Sequence, residues 1–144
     1  MSNYGSNSRK TMVIDPPKPS ILIICGGMGA GGKERQINEL LKGIKRNDSF
    51  RMILAVGHLN GAREAEAAKW ADRVWRLKRL SRYDLITPLI DLIQHAKKDK
   101  VDVIHTWGGG IWDLFGWVVA RIIHIPFIHG GIRAAPLFLV MANK

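Results

Sequence analysis

The sequence predicts an α/β domain built on a parallel sheet with helices on its faces. Three observations lead there. Short, continuous apolar runs rich in β-branched residues recur along the chain, as strands buried on both faces require. Segments with apolar residues at helical spacing separate them. Glycines follow two of the runs at once, at Gly26-Gly27 and Gly108-Gly109-Gly110. Strand, helix, strand, helix in repeating order means a parallel sheet, and right-handed crossovers make it a Rossmann-like, doubly wound single domain.

The elements follow in order. Residues 1–19 are polar and proline-containing and read as a flexible tail, with Pro16, Pro17 and Pro19 as a stiff lead-in. The domain is expected over 20–144. SILIIC (20–25) is the first strand. A helix from about Gly32 to Arg46 carries Ile37, Leu40, Leu41 and Ile44 on one stripe, and Asn47-Asp48 marks the turn after it. RMILAVG (51–57) is the second strand. AREAEAAKWA (62–71) is rich in helix formers. RVWRL (73–77) alternates charged and apolar residues, which fits a short strand near an edge.

DLITPLIDLIQHAKKDK (84–100) is an amphipathic helix, with Leu85, Leu89, Ile93 and Ala96 as its expected buried face and Ile86 and Ile90 beside them. Asp84 or Thr87 caps it, and Pro88 in the first turn suits both. VDVIHT (101–106) is a third clear apolar strand, the three glycines lead into a helix over 111–124, and IPFIHG (125–130) is a further strand. GIRAAPLFLVMANK (131–144) runs on without a closing element, so the chain reads as truncated.

Bulk properties exclude some functions. The 144 residues are 47% hydrophobic and 24% charged, which argues against a disordered chain. The net charge of +10 is that of a solvated basic surface for most of its residues, or of a site for nucleic acid, an anionic membrane surface or anionic substrates. No RNA-binding motif supports a nucleic-acid site. Cys25 is the only cysteine, so no internal disulfide forms; inside an apolar run it reads as a small buried hydrophobe. The first twenty residues show no signal peptide. The most apolar stretch, 111–129, is interrupted by Asp113, Arg121 and His124. A cytoplasmic location is expected, peripheral at the inner face of a membrane. The histidines lack metal-ligand spacing, so neither a metal nor a cofactor is expected.

The stretch CGGMGAGGKER (25–35) carries the clearest functional signal. A P-loop needs Ser or Thr after its lysine, and here Glu34 follows Lys33. Gly27, Gly29 and Gly32 spell GxGxxG, which predicts an acid at the end of the second strand to hold a ribose. That strand ends in Gly57-His58, and no acid follows until Glu64. In a doubly wound sheet ligands bind beyond the carboxyl ends of the strands where strand order reverses. The loops Gly26–Gly32 and Thr106–Gly110 are therefore expected to face each other there. Glycines let backbone N–H groups approach an anion, and the first loop opens onto a helix N-terminus.

Three segments together resemble family 4 glycosyltransferases. GGMGAGGKERQINELLKGI (26–44) is similar to their first strand–helix unit, with Gly31-Gly32-Lys33-Glu34-Arg35 matching a GG-x-ER signature. VDVIHTW (101–107) resembles their PDVVHTH strand, and RIIHIPFIHGGIRAAP (121–136) their AR…G-IP segment. The resemblance covers about residues 20–138. It implies the N-terminal half of a GT-B fold, in which two Rossmann-like domains face a cleft. That half is the acceptor-binding side of a retaining, metal-independent enzyme that moves a sugar from a nucleotide-sugar to a glycan or lipid-linked acceptor. The donor domain and its carboxylates are absent from this sequence, so the chain is expected to be inactive alone, with a second chain as one possible source of the donor side.

The resemblance also implies site residues. Gly31 and Gly32 match the loop that approaches the donor phosphates and the acceptor. His129 matches a position that contacts the transferred sugar or acceptor and is the expected catalytic residue. His105 ends its strand at the crevice. Trp107 stands where the family usually has a second histidine, and its flat face suits a sugar ring. Arg133 suits an anionic acceptor. RVWRLKRLSRY (73–83) holds five basic residues and no acids, with Val74, Trp75, Leu77 and Leu80 between them, and reads either as contact with an anionic membrane or as an edge strand with a solvated loop. Two rival readings remain from the sequence: a nicotinamide-dinucleotide-binding oxidoreductase fragment, and a non-catalytic interaction domain.

Overall fold

The computed structural model describes residues 16–58, 61–81 and 83–130. The chain runs β1 (Ser20–Cys25), α1 (Gly32–Asn47), β2 (Arg51–Val56), α2 (Glu64–Trp70), β3 (Arg73–Arg76), α3 (Ile86–Lys98), β4 (Val103–Trp107), α4 (Ile111–Ile123) and β5 (Phe127–Gly130). The five strands form one sheet in the order β3-β2-β1-β4-β5, and every pairing is parallel. Strand order reverses between β1 and β4, where the sequence places the crevice. Residues 1–15 of the expected tail, and Arg133, lie outside the described residues. The end of the expected tail is tied down: the Pro19 carbonyl accepts the Arg51 amide at 2.9 Å.

Alternation along the central strands builds two cores. Leu22, Ile24, Ile53 and Ala55 face α3 and α4, where Leu92, Ala96, Phe115 and Val119 meet them. Ile23, Cys25, Met52, Leu54 and Val56 face the other way, against Ile37 and Leu41 of α1 and Ala67 of α2. The continuous apolar runs are thus strands sandwiched between helix layers, and each side chain removed from water adds about 1.5–3 kcal/mol.

Carboxylates fasten the N-terminal rim of the sheet. Asp102 accepts the Ser20 amide at 2.7 Å, and Asp72 accepts the Met52 amide at 2.8 Å. Asp99 bridges Arg73 (2.5 Å) and Arg51 (3.4 Å). These roles explain why β4 starts at Val103 rather than at 101: Asp102 serves β1 with its side chain, and the Val101 amide bonds back to Ala96.

The expected face of α3 needs correction. Asp84 is the cap, since its carboxylate accepts the Thr87 amide at 3.0 Å, but the helix is rotated from the face drawn on the sequence. Pro88, Asp91, Leu92 and Ala96 point inward, with Leu89 and Ile93 partly buried, while Leu85, Ile86 and Ile90 are exposed. The rotation follows from Asp91, whose carboxylate is buried to accept the Lys78 amide at 3.0 Å.

Trp112, in the first turn of α4, seats that helix on the sheet. Its indole occupies the space that side chains on Gly26 and Gly57 would fill; a Cβ on Gly57 would lie 2.0 Å from Cζ2, and one on Gly26 2.8 Å from Nε1. One turn later Gly116 lets α4 approach Thr106, whose Cγ2 would be 2.3 Å from a Cβ there. We expect Gly57→Ala to lower the unfolding free energy by roughly 1–3 kcal/mol. With Trp112→Ala already present the same change should cost far less. Urea unfolding of the four proteins measures this, and equal costs in both backgrounds would dismiss the contact.

Candidate functional site

At the C-terminal rim the loops after β1 and β4 meet across the switch point. A side chain on Gly108 would lie 3.7 Å from the Gly26 nitrogen. Lys33, in the first turn of α1, donates from Nζ to the Gly108 carbonyl at 3.2 Å and ties the two walls together. The facing of the two glycine loops expected from the sequence is what the fold delivers.

The glycines of these loops have separate causes. Gly26 makes room for Trp112, and Gly109 and Gly110 adopt positive φ (74° and 67°), where other residues are strained. A side chain on Gly31 would strike the Glu34 carboxylate, with Oε2 only 2.5 Å from its Cβ. At Gly29 and Gly32 a side chain would meet nothing. Packing therefore does not account for those two, and the space over them is open to a ligand. Glu34 places a negative charge at the α1 N-terminus, where the backbone field favours an anion. A phosphate bound at Gly31 must compete with this carboxylate.

Strand alternation decides which predicted residues share a wall. In β4, His105 and Trp107 face the α1 side, whereas Ile104 and Thr106 face α4. The register pairs Thr106 with His129 and Trp107 with Gly130. His129 therefore emerges on the opposite face of the sheet from His105 and Trp107, beside α4. The structure brings His105 and Trp107 to the crevice wall next to α1 and separates His129 from them.

Trp107 Nε1 donates to His105 Nδ1 at 3.3 Å, with the rings 5.2 Å apart and tilted by 50°. A Cβ on Gly130 would be 2.7 Å from His105 Nε2 and 3.0 Å from Trp107 Cε2, so glycine ends β5 where these rings lean on its backbone. Burial first, and the neighbouring His129 second, hold the His105 pKa below its ordinary 6.5. On the other face, His129 Nδ1 lies 3.4 Å from Asp113 Oδ1. That is an electrostatic contact rather than a hydrogen bond, since this buried oxygen has no hydrogen-bond donor.

Trp112, Asp113 and the Lys33 bridge were not singled out from the sequence. Two glycines directly after adjacent strands, Gly26 and Gly57, were the available signal for a large ring above them.

Cys25 is buried, and burial pushes its thiol up to about 12, which fits the hydrophobe read from the sequence. Of the two readings of 73–83, the fold shows the edge strand, since β3 ends the sheet order, and the exposed and buried side chains of the segment alternate along it. Trp75 and Leu77 are core residues, Arg73 pairs with Asp99, and Arg76 donates to Glu64 at 2.7 Å. Glu64, the first acid after β2, is thereby buried and engaged. Hollows at the opposite, N-terminal rim are lined by residues such as Lys18, Arg51, Asp72 and Asp99, whose charges pair with one another or with neighbours. Among the described residues, no group of three or more His, Cys, Asp or Glu side chains is placed to hold a metal ion, and no helix is long and apolar enough to cross a membrane.

A five-stranded parallel sheet with this order and a glycine-lined crevice at its switch point is a Rossmann-like unit. No family model and no curated protein sequence matches the chain. Solved structures do. MurG of Acinetobacter baumannii is similar with a TM-score of 0.58 and 13% identity, over 78% of this chain and 35% of that one. A glycosyltransferase from Rickettsia africae gives 0.60 and 14%, over 78% and 29%. UDP-GlcNAc 2-epimerase from Neisseria meningitidis, bound to UDP-GlcNAc, gives 0.55 and 16%, over 87% and 36%. This chain spans about a third of the length of each. At such identities the likeness is one of fold: the chain has the Rossmann-like architecture from which the halves of GT-B glycosyltransferases are built.

The His105 environment has a measurable consequence. The folded chain favours its neutral form, so the unfolded chain binds the proton more tightly, and stability falls as pH drops from 6.5 toward the lower folded value. His105→Gln should remove this component. Urea midpoints at about pH 7 and about pH 5 measure it; an unchanged pH dependence in the variant would contradict the assignment.

Proposed function

We propose that this chain is the amino-terminal, acceptor-side half of a retaining GT-B glycosyltransferase that moves a sugar from a nucleotide-sugar to a glycan or lipid-linked acceptor. The observation that carries this reading is the convergence of the β1 and β4 loops at the switch point, with open space over Gly29 and Gly32 and the Trp107–His105 pair on the adjoining wall.

Each group has a role that its chemistry supports. The Trp107 face supplies an apolar platform for the C–H groups of a sugar ring. With Nδ1 accepting from the indole, neutral His105 carries its proton on Nε2 and offers a donor to a hydroxyl. Glu34 accepts from hydroxyls and repels bare phosphate, so it biases the α1 side toward the acceptor's sugar rather than toward a free anion. The Gly31 and Gly32 amides answer charge on a departing nucleoside diphosphate only as Glu34 gives way. His129, held near Asp113 on the other face, touches the transferred group where the ligand passes over the sheet end. Arg133 meets an anionic acceptor. On this reading these residues supply the acceptor side, and turnover needs a donor-side unit as well. The nicotinamide alternative loses its ribose-binding acid, because Glu64 is committed to Arg76.

Adding neutral oligosaccharides should shift the Trp107 indole N–H resonance, and Trp107→Ala should abolish saccharide binding seen by the remaining signals. A response to NADH with none to any saccharide would overturn the reading. Glu34→Gln should raise the affinity for inorganic phosphate by roughly two- to fivefold, the strength of one charge at a helix end. Phosphate binding that is indifferent to this change would remove Glu34 from the site.

A further inference from the structure

The N-terminal rim of the sheet, opposite the crevice, holds a hollow of about 620 Å³. Five cations line it: Lys18, Arg51, Arg73, Lys98 and Lys100. The fold gathers them. Arg51 opens β2 and Arg73 opens β3, and these paired parallel strands start on the same rim. Lys98 ends α3, and Lys100 follows it in the turn toward β4.

Three carboxylates share the lining, Asp72, Asp99 and Asp102, and each is engaged by the protein. Asp102 accepts the Ser20 amide at 2.7 Å. Asp72 accepts the Met52 amide at 2.8 Å and pairs with Lys45, which lies outside the hollow. Asp99 is buried. One of its oxygens takes Arg73 at 2.5 Å and Arg51 at 3.4 Å, and the other is sealed from solvent. Even with all three acids ionised, five cations against three carboxylates leave two positive charges in excess. The outer partners do not change this, because Asp48 on Lys18 and Lys45 on Asp72 offset each other. Lys98 and Lys100 are exposed and pair with no carboxylate among the described residues. The carbonyl end of α3 also reaches this rim, and Lys97, in its last turn but outside the hollow, answers it.

We propose that this hollow binds a phosphate dianion, free or as a phosphomonoester, between the Arg51 and Arg73 guanidiniums, with Lys98 and Lys100 at its edge. A guanidinium has more N–H donors than one carboxylate oxygen can use, so both arginines keep donors free. By drawing the two onto one buried oxygen, Asp99 holds them side by side. Phosphate oxygens suit that fork, and two negative charges match the excess. A bound dianion ties the starts of β2 and β3 to the turn after α3, and so stabilises the folded chain. The inference stands independently of the sugar-transfer reading.

Titration of the full chain with inorganic phosphate at constant ionic strength, followed by amide NMR, tests it. The Arg73 and Lys100 amides should shift and saturate, separately from any response at Gly31 and Gly32. Glycerol phosphate in a second arm separates the sources: a saturable response admits phosphomonoesters, its absence confines the site to free phosphate, and either upholds the site. Lys98→Gln with Lys100→Gln should weaken phosphate binding roughly fivefold. Arg73→Gln should weaken it at least about tenfold. The lysine variant changes exposed positions, and its thermal unfolding without phosphate should match the parent. The proposal fails if chloride at equal ionic strength gives the same shifts, or if the response is confined to Gly31 and Gly32. It fails equally if the lysine variant binds phosphate as the parent does. Binding of a short single-stranded oligonucleotide to the same residues, more than about tenfold tighter than phosphate and steeply salt-dependent, would overturn it in favour of a nucleic-acid surface. A null result in the saccharide experiment would leave a positive result here standing.

Discussion

The site depends on one steric arrangement: a tryptophan ring lying where two glycines carry no side chain. Trp112 packs over Gly26 and Gly57, the first residues after β1 and β2, and is itself buried. Its edge-on contact with Phe115, at 5.6 Å between ring centres, continues the seat into the core. With the first turn of α4 fixed there, the three-glycine loop before it must lie against the end of β1. The crevice walls are therefore consequences of packing beneath them. Interiors are dense enough that a displaced ring at this point would move the loop as well.

Above that seat, charge rather than shape sorts what the crevice can hold. Two residues of the GGKER stretch turn toward the loops: Lys33 bridges to Gly108, and Glu34 covers Gly31. Neither disposition matches a P-loop, in which the lysine reaches phosphate and a hydroxyl follows it. A helix end that carries its own carboxylate suits a partner with hydroxyl donors better than a bare anion. The wall opposite adds a ring face and a neutral imidazole. A carboxylate, a ring face and a neutral imidazole can answer the hydroxyls and C–H faces of a carbohydrate, which supports the sugar-transfer proposal more directly than the fold does.

Much of the architecture was legible in the sequence because the strands are covered on both faces. SILIIC and RMILAVG have no polar face to confuse the period, and glycines punctuate the ends of β1 and β4. The facing loops followed from that pattern once the usual doubly wound arrangement is assumed, and the order β3-β2-β1-β4-β5 itself comes from the structure. Three things were not legible. The rotation of α3 depends on Asp91 being pulled inward by a backbone amide thirteen residues earlier, a long-range polar requirement that outweighs an aliphatic stripe. The burial of Trp75 and Leu77 reflects β3 pairing with β2 under α3, whereas local composition left an edge strand and a membrane-facing strip both open. The separation of His129 from His105 is a parity effect of register: Thr106, not His105, is its partner, and register between β4 and β5 is set by the tertiary fold.

The Lys33–Gly108 bridge joins residues 75 apart in the chain, and the Ser20–Asp102 clasp at the other rim spans 82. Helices α1 and α2 with the first three strands close over short spans, but β1 acquires its second neighbour only once β4 has been made and docked. Such distant pairings are costly in loop entropy and come late. The pocket therefore cannot exist before β4 docks on β1, and it is lost when β4 lifts away. A chain emerging from synthesis would carry its hydrophobic half-sheet, with one flank of β1 unpaired, from the completion of β3 at Arg76 until β4 had appeared through Trp107.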